Sequence, residues 1–299
     1  MTVLFDVLIP IALIFLTGFY LQKKQMIDVR SVSSVALYIL TPALVFRTFY
    51  TTEPDGDLFK IAVFSVLFLL IMLLVNRLFA YFFKWNSKES SGMGLAVTFM
   101  NAGNYGAPLI LFAFGETAFA YSVVFMVIQS LLMSTAGVYL ANRSSLTAAD
   151  AFRVVLKMPV FYALILGVLF QALHIDIKET YMDAVSMVAE AAIPVVMVVL
   201  GMQLSKISIS SLDWKLVSIG TLLRLVISPL IAFGLTVLLQ TNSTLSIVLI
   251  VSTAMPTAAT IAMIAVQFDS SPQLVSSITL VTTLLSVPSL WILLTIIGV

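Results

Sequence analysis
The chain has 299 residues, of which 61% are hydrophobic and 10% charged, with a mean hydropathy of +1.13. Soluble domains carry about 25% charged residues, so a water-soluble globule is excluded. A net charge of +1 offers no basic face for nucleic acid, and without cysteine there is no disulfide, thiolate nucleophile or cysteine-ligated metal.

Apolar stretches of about 20 residues between short polar loops predict transmembrane helices. Ten follow in chain order, at 3–21, 32–50, 58–83, 91–113, 117–141, 153–174, 183–204, 214–239, 244–267 and 272–297. The first starts at Met1-Thr2-Val3-Leu4-Phe5-Asp6, which lacks the basic residues of a signal peptide, so a retained helix is expected. Four loops are basic: spans 1 and 2 are joined by Lys23, Lys24 and Arg30, and spans 3 and 4 by Lys84 and Lys88. Arg143, Arg153 and Lys157 lie between spans 5 and 6, and Lys206 and Lys215 between spans 7 and 8. The alternate loops are acidic, with Glu53, Asp55 and Asp57 in one and Asp176, Glu179 and Asp183 in another. Basic loops stay in the cytoplasm, so a multi-pass protein of the cell membrane with both termini outside is expected.

The spans divide into two sets of five, over residues 1–143 and 152–299. Pro10 and Pro159, Pro42 and Pro194, and Pro108 and Pro256 occupy matching spans at separations of 149, 152 and 148 residues. Prolines are common in membrane helices, but three pairs at nearly one offset point to a duplication. Each half crosses an odd number of times, so the second is inverted relative to the first, as in secondary transporters. The expected fold is an all-α membrane protein of ten transmembrane helices in two inverted five-helix repeats, with helices 4 and 9 broken.

Span 4 is interrupted by Asn101-Ala102-Gly103-Asn104-Tyr105-Gly106-Ala107-Pro108, and span 9 by Ser252-Thr253-Ala254-Met255-Pro256-Thr257. In hydrocarbon an unpaired backbone N–H or C=O costs several kcal/mol, so irregular backbone persists only against protein or a watery cavity. Breaks in corresponding places of two halves point to a transporter's binding site. Pro108 and Pro256 each suit the first turn of a new half-helix, whose free N–H groups and partial positive charge would face the gap. Two such ends brought together by inversion make an anion site without a lysine. Gly103 and Gly106 let the backbone turn. Asn101 and Asn104 add amides, while Thr253, Thr257 and Thr260 add hydroxyls. Small and polar residues also pack membrane helices together, a reading that weighs more on span 9 than on span 4.

Other intramembrane polar groups are few. Arg224, about ten residues into span 8, either holds a substrate carboxylate bidentately or partners backbone carbonyls. Gln129 in span 5 is either a wall of the site or a helix–helix hydrogen bond. Arg77 is expected to snorkel toward the cytoplasm. Glu190, the one carboxylate clearly within a span, either carries a coupling proton or lies at the outer interface. His174 ends span 6 at the outer surface. Neither a Ser-His-Asp arrangement nor a zinc spacing nor a phosphate loop is visible, so neither an enzyme nor a cofactor or metal is expected.

These residues resemble the auxin efflux carrier family, whose bacterial members include malate and malonate permeases. The resemblance runs over nearly the whole chain. It rests on the motif from Asn101 to Pro108, on Thr253-Ala254-Met255-Pro256-Thr257-Ala258-Ala259-Thr260, and on Ala265-Val266-Gln267-Phe268 followed by Ser271-Pro272. Leu285-Ser286-Val287-Pro288 and Gln129 extend it. The resemblance implies a fold shared with bile-acid/sodium symporters: a scaffold of spans 1, 2, 6 and 7, and a moving transport domain of spans 3–5 and 8–10. Helices 4 and 9 would cross, with substrate beside the crossing, and Asn101 or Asn104, Pro108, Gln129 and Pro256 are the matching positions. It also implies a homodimer. The long cytoplasmic loop of many plant carriers is absent. Spans 4 and 9 lack the carboxylate of a sodium site, which makes sodium coupling doubtful.

The expected activity is secondary or facilitative transport of a small organic anion by an elevator-type movement. The anion would be a mono- or dicarboxylate such as malate, malonate or an auxin-like acid. Asn101, Asn104, Tyr105, Pro108, Gln129, Thr253, Pro256, Thr257 and Arg224 are the candidate binding residues, and proton coupling stays open. The alternatives are a sodium-coupled bile-acid-type symporter and a membrane anion sensor without transport.

Overall fold
The computed structural model describes residues 4–52, 56–141, 153–207 and 213–298. Met1, Thr2, Val3, Glu53, Asp55 and Arg143, on which the N-terminal and loop readings drew, lie outside the described residues. Within them the regular structure is helical, interrupted by a single antiparallel bridge between Met100 and Thr257. We number the helices α1 (Asp6–Gln25), α2 (Val29–Thr51), α3 (Gly56–Phe82), α4 (Ser87–Thr98), α5 (Ala102–Ala141) and α6 (Pro159–Ala172). They continue as α7 (Glu179–Ser205), α8 (Trp214–Leu238), α9 (Ser243–Thr253), α10 (Ala259–Gln267) and α11 (Pro272–Ile297). Among the described residues seven helices are long and apolar enough to cross a membrane: α1, α2, α3, α5, α7, α8 and α11.

Helix starts follow local chemistry. Asp28 accepts the backbone N–H groups of Arg30 and Ser31 at 3.2 Å each and so opens α2. Asn86 and Glu89 form a reciprocal capping box at the start of α4. Asp213 and Asn242 cap α8 and α9.

Four of the five wide, π-type turns among the described residues, Leu4–Leu8, Ala36–Leu40, Ala102–Gly106 and Leu223–Ile227, each end two residues before a proline: Pro10, Pro42, Pro108 and Pro229. The fifth, Met133–Gly137, precedes none. A proline in a helix interior has no N–H to donate, and its ring clashes with the carbonyl four residues back. A locally wider turn relieves that clash without ending the helix. Pro108 thus sits in the first turn of the α-helical stretch Ala107–Leu132, as expected, but the wide turn Ala102–Gly106 runs into it and moves the start of the whole helix back to Ala102.

Two packing groups are visible. In one, α1 lies on α7 and α2 lies on α6. Gly18 meets the Val198 backbone and Gly201 the Phe15 backbone so closely that a Cβ at either position would overlap its neighbour. At Gly167 a Cβ would stand 3.0 Å from the Phe46 carbonyl oxygen. Such seams of small residues let membrane helices approach backbone to backbone. In the other group α3, α4, α5, α8, α9 and α11 pack around buried Phe64, Phe68, Phe125, Met93 and Leu95. Stripes at helical spacing stay exposed, such as Leu13, Leu16 and Tyr20 on α1 and Leu230, Phe233 and Val237 on α8. An apolar exterior at helical period suits a lipid solvent.

Two boundaries differ from the sequence reading. The loop expected between spans 4 and 5 shrinks to one residue, Gly115, whose φ of 77° and ψ of −171° break α5. That conformation is open to glycine and strained for other residues. Helix α7 begins at Glu179 instead of 183 and is interrupted at Ala191, three residues before Pro194.

Candidate functional site
The breaks between α4 and α5 and between α9 and α10 cross and pair. Asn101 N–H donates to the Pro256 carbonyl at 2.8 Å, and Ala258 N–H donates to the Phe99 carbonyl at 3.1 Å. Each extended stretch thus satisfies polar backbone of the other, which is what unwound chain at membrane depth requires. Pro256 is part of this pairing, three residues ahead of α10 rather than in its first turn, and contributes only its carbonyl. Gly103 and Gly106 have no positive φ. Their value is space: a Cβ would meet Met126 at 3.2 Å in one case and Met255 at 3.2 Å in the other.

On one side of the crossing lie the C-terminal ends of α4 and α9, where carbonyls lack helical partners. Side chains meet them. Thr257 Oγ1 donates to Ala96 O at 2.7 Å, and Arg224 Nη1 donates to Val97 O at 2.7 Å. Arg224 Nη2 reaches both Thr253 O and Ser228 Oγ, and Ser228 Oγ donates to Thr253 O at 2.8 Å. Arg224 is fully buried.

On the other side the N-termini of α5 and α10 face a cavity of about 410 Å³. It is bounded by α2, the start of α6 and α7 of the first packing group, by α5 and residues 99–101 of the second, and by α10. Asn101, 5% exposed, caps α5 by accepting the Asn104 N–H on Oδ1 at 3.2 Å. The first-turn N–H groups of Ala102 and Gly103 have no carbonyl a turn earlier in the helix to accept them. No side chain caps α10. Gln129 lines the cavity from α5; it is 6% exposed and its Nε2 has no hydrogen-bond partner among the described residues. The Ser33 hydroxyl and the Gln203 side-chain Oε1, on residues that also line the space, are likewise unpartnered among the described residues. Most of the remaining wall is apolar, with Leu37, Leu44, Met126, Met133, Ile193 and Met263. Lys157 stands exposed at the rim.

Of the candidate residues, the structure brings Asn101, Asn104 and Gln129 together at the cavity, with Thr260 beside them. Six others lie off it. Tyr105 is buried edge-on against Phe15 and accepts from Ser286 at 3.3 Å. Pro108 and Pro256 are buried in backbone roles. Thr253 returns its hydroxyl to Leu249 O at 2.9 Å, Thr257 is committed to Ala96 O, and Arg224 to the two helix ends. Glu190 lies apart from the cavity with its side chain 72% exposed, 3.5 Å from Arg47. Sequence reading missed Ser33, Gln203 and Lys157. Their signal was present, since each sits at the basic-loop end of a span, but it needed the fold to show that these ends converge. Among the described residues no cluster of acidic or histidine side chains is placed to hold a metal.

The sequence model of the membrane transport protein family matches residues 3–152 and 149–294. An uncharacterized transporter of Methanothermobacter thermautotrophicus is 27% identical over 294 residues, covering 95% of each chain. An uncharacterized transporter of Methanocaldococcus jannaschii is 24% identical over 306 residues, covering 96% of this chain and 97% of its own.

Proposed function
Because the chain belongs to the membrane transport protein family, whose auxin efflux carriers its motifs resemble, we propose that it carries a small organic anion across the cell membrane as a secondary or facilitative transporter. The supporting observation is the cavity against two helix N-termini, lined in part by Gln129, whose buried Nε2 has no partner among the described residues. A helix N-terminus bears roughly half a positive charge and unpaired N–H donors. A carboxylate placed there accepts from the Ala102 and Gly103 N–H groups and from the amides of Asn104 and Gln129. The apolar remainder of the wall then houses an apolar body, so a monocarboxylate of that kind fits better than malate or malonate, whose second charge would face methionine and leucine.

The eleven helices assemble on this reading into ten spans, with α4 and the first arm of α5 forming span 4, the second arm span 5, and α9 with α10 span 9. The halves 1–143 and 152–299 form inverted repeats with both termini outside. Helices α1, α2, α6 and α7 are the scaffold of a homodimer, and the second packing group is the body that slides. We read the side of the cavity lined by the exposed Lys157, with Ser33 and Gln203, as its mouth toward the basic loops, hence an inward-open state. Glu190 and Arg47 take no part in holding the anion.

The test is a thermal-shift series on purified protein with malate, malonate, lactate, indole-3-acetate and taurocholate, followed by flux of any stabilising acid into proteoliposomes with and without sodium. The expected result is stabilisation by indole-3-acetate above malonate and a sodium-independent flux. Stabilisation by taurocholate with sodium-driven flux would make it a bile-acid-type symporter. Binding without flux would make it a sensor.

A further inference from the structure
We propose that Arg224 is a built-in cation, holding the crossing together at the place where a free monovalent cation would otherwise be needed. Its partners are what sets it apart. The guanidinium is wholly buried, yet none of the ion pairs among the described residues involves it. Instead it donates to Val97 O, next to last in α4, and to Thr253 O, last in α9, with the Ser228 hydroxyl joining at the second of these. Each helix C-terminus carries roughly half a negative charge. Two of them converging supply about one unit in total, which matches a single guanidinium without any carboxylate. Carbonyl oxygens and a hydroxyl converging on one positive charge are also the donor set that a sodium or potassium ion takes from unwound membrane helices. Arginine does not deprotonate in proteins, so the charge is permanent. Both halves of the crossing are therefore neutralised with no solute cation bound.

This rests on the geometry of the crossing and not on the transport reading, and its readout needs no substrate. Thermal unfolding of the purified full chain is followed in sodium, potassium or N-methylglucamine chloride, with and without millimolar guanidinium. The wild-type midpoint is expected to be the same in all of these. Arg224→Ala should lose roughly 10 °C and recover part of it with guanidinium or with one of the alkali cations, whereas Arg224→Lys should keep most of the wild-type midpoint. Retention by Lys together with loss by Ala supports the proposal even where no solute reaches the vacated space. A wild-type midpoint that follows sodium or potassium overturns it. So does an Arg224→Ala protein as stable as wild type, or equal collapse of the Ala and Lys variants with no cation response.

Discussion
The two sides of the crossing are built alike and finished differently. Each presents two helix ends, but the carbonyl side is closed by its own side chains, Thr257 on Ala96 O and Arg224 with Ser228 on Val97 O and Thr253 O. The N–H side is left facing open volume, with only the Asn101 side chain as a cap and Gln129 unpartnered. What separates the two sides is the open volume. Buried atoms without a partner occur on both among the described residues, Arg224 Nε and Thr98 Oγ1 on one and Gln129 Nε2 on the other, but only the N–H side adjoins a cavity that the proposed function would fill. Charge follows the same division: the carbonyl ends meet a positive group supplied by the fold itself, and under the proposed function the amide ends would take a negative one from the substrate.

The largest effect expected is on the open side. Asn104→Ala removes an amide whose side chain makes no hydrogen bond within the described residues. Flux of the stabilising acid should fall about a hundredfold, as when two charge-assisted contacts are lost, with the unfolding midpoint unchanged. Wild-type flux would take Asn104 out of the site. On the closed side the same kind of change should do the opposite. Thr257→Val leaves Ala96 O unsatisfied in the interior and should cost about 1–3 kcal/mol of stability, read as a lower midpoint, while anion affinity measured on the folded fraction holds. Gln129→Leu sharpens the contrast further. Removing an unpartnered buried donor should leave stability equal or raise it by about 1 kcal/mol, yet weaken anion binding in the same titration. Loss of stability there would mean that Gln129 has a structural partner.

Smaller effects are expected away from the crossing. Glu190→Gln breaks an exposed pair with Arg47 and should change stability by at most about 1 kcal/mol. The pH profile of flux should stay as in wild type; a shifted profile would make Glu190 a proton carrier after all. Asp28 gives the smallest effect. The Ser31 hydroxyl, and next the Arg30 N–H, hold its carboxyl below the ordinary value of 3.8. A depressed acid stabilises the fold above its unfolded value and loses that contribution as pH falls through the folded one. The difference in midpoint between wild type and Asp28→Asn should therefore be constant down to about pH 4 and shrink only below it.

The breaks were legible because Asn, Gly and Pro inside an apolar run are poor helix formers and costly in lipid, whatever surrounds them. The seam between them was not. Spacing along a chain carries no register across two segments that meet only in space, so nothing marked Asn101 as the partner of Pro256, or Ala258 as that of Phe99. For the same reason Tyr105 and Thr257, adjacent in sequence to cavity residues, and Thr253, five residues from the nearest, turned out to bond elsewhere. Arg224 was left open between substrate and carbonyls, and its depth in α8 alone could not choose. The prolines misled in opposite directions: a wide turn, Ala102–Gly106, carries the helix back ahead of Pro108, whereas Pro256 belongs to the paired stretch and α10 starts three residues after it. The break at Gly115 was legible, because Gly115-Glu116 separates two apolar runs, but that a single residue makes the whole turn follows only from its φ of 77°.

The glycine contacts of α1 with α7 carry a mechanical consequence. Where Gly18 meets Val198 and Gly201 meets Phe15, main chain rests on main chain, and a joint without side-chain padding has almost no play. Around the cavity the facing surfaces are instead upholstered with Met126, Met133, Met158 and Met263, long unbranched chains that re-settle at little cost. If one part of this molecule travels against another, friction alone selects the track: the methionine-lined seam yields, and the glycine weld stays fixed.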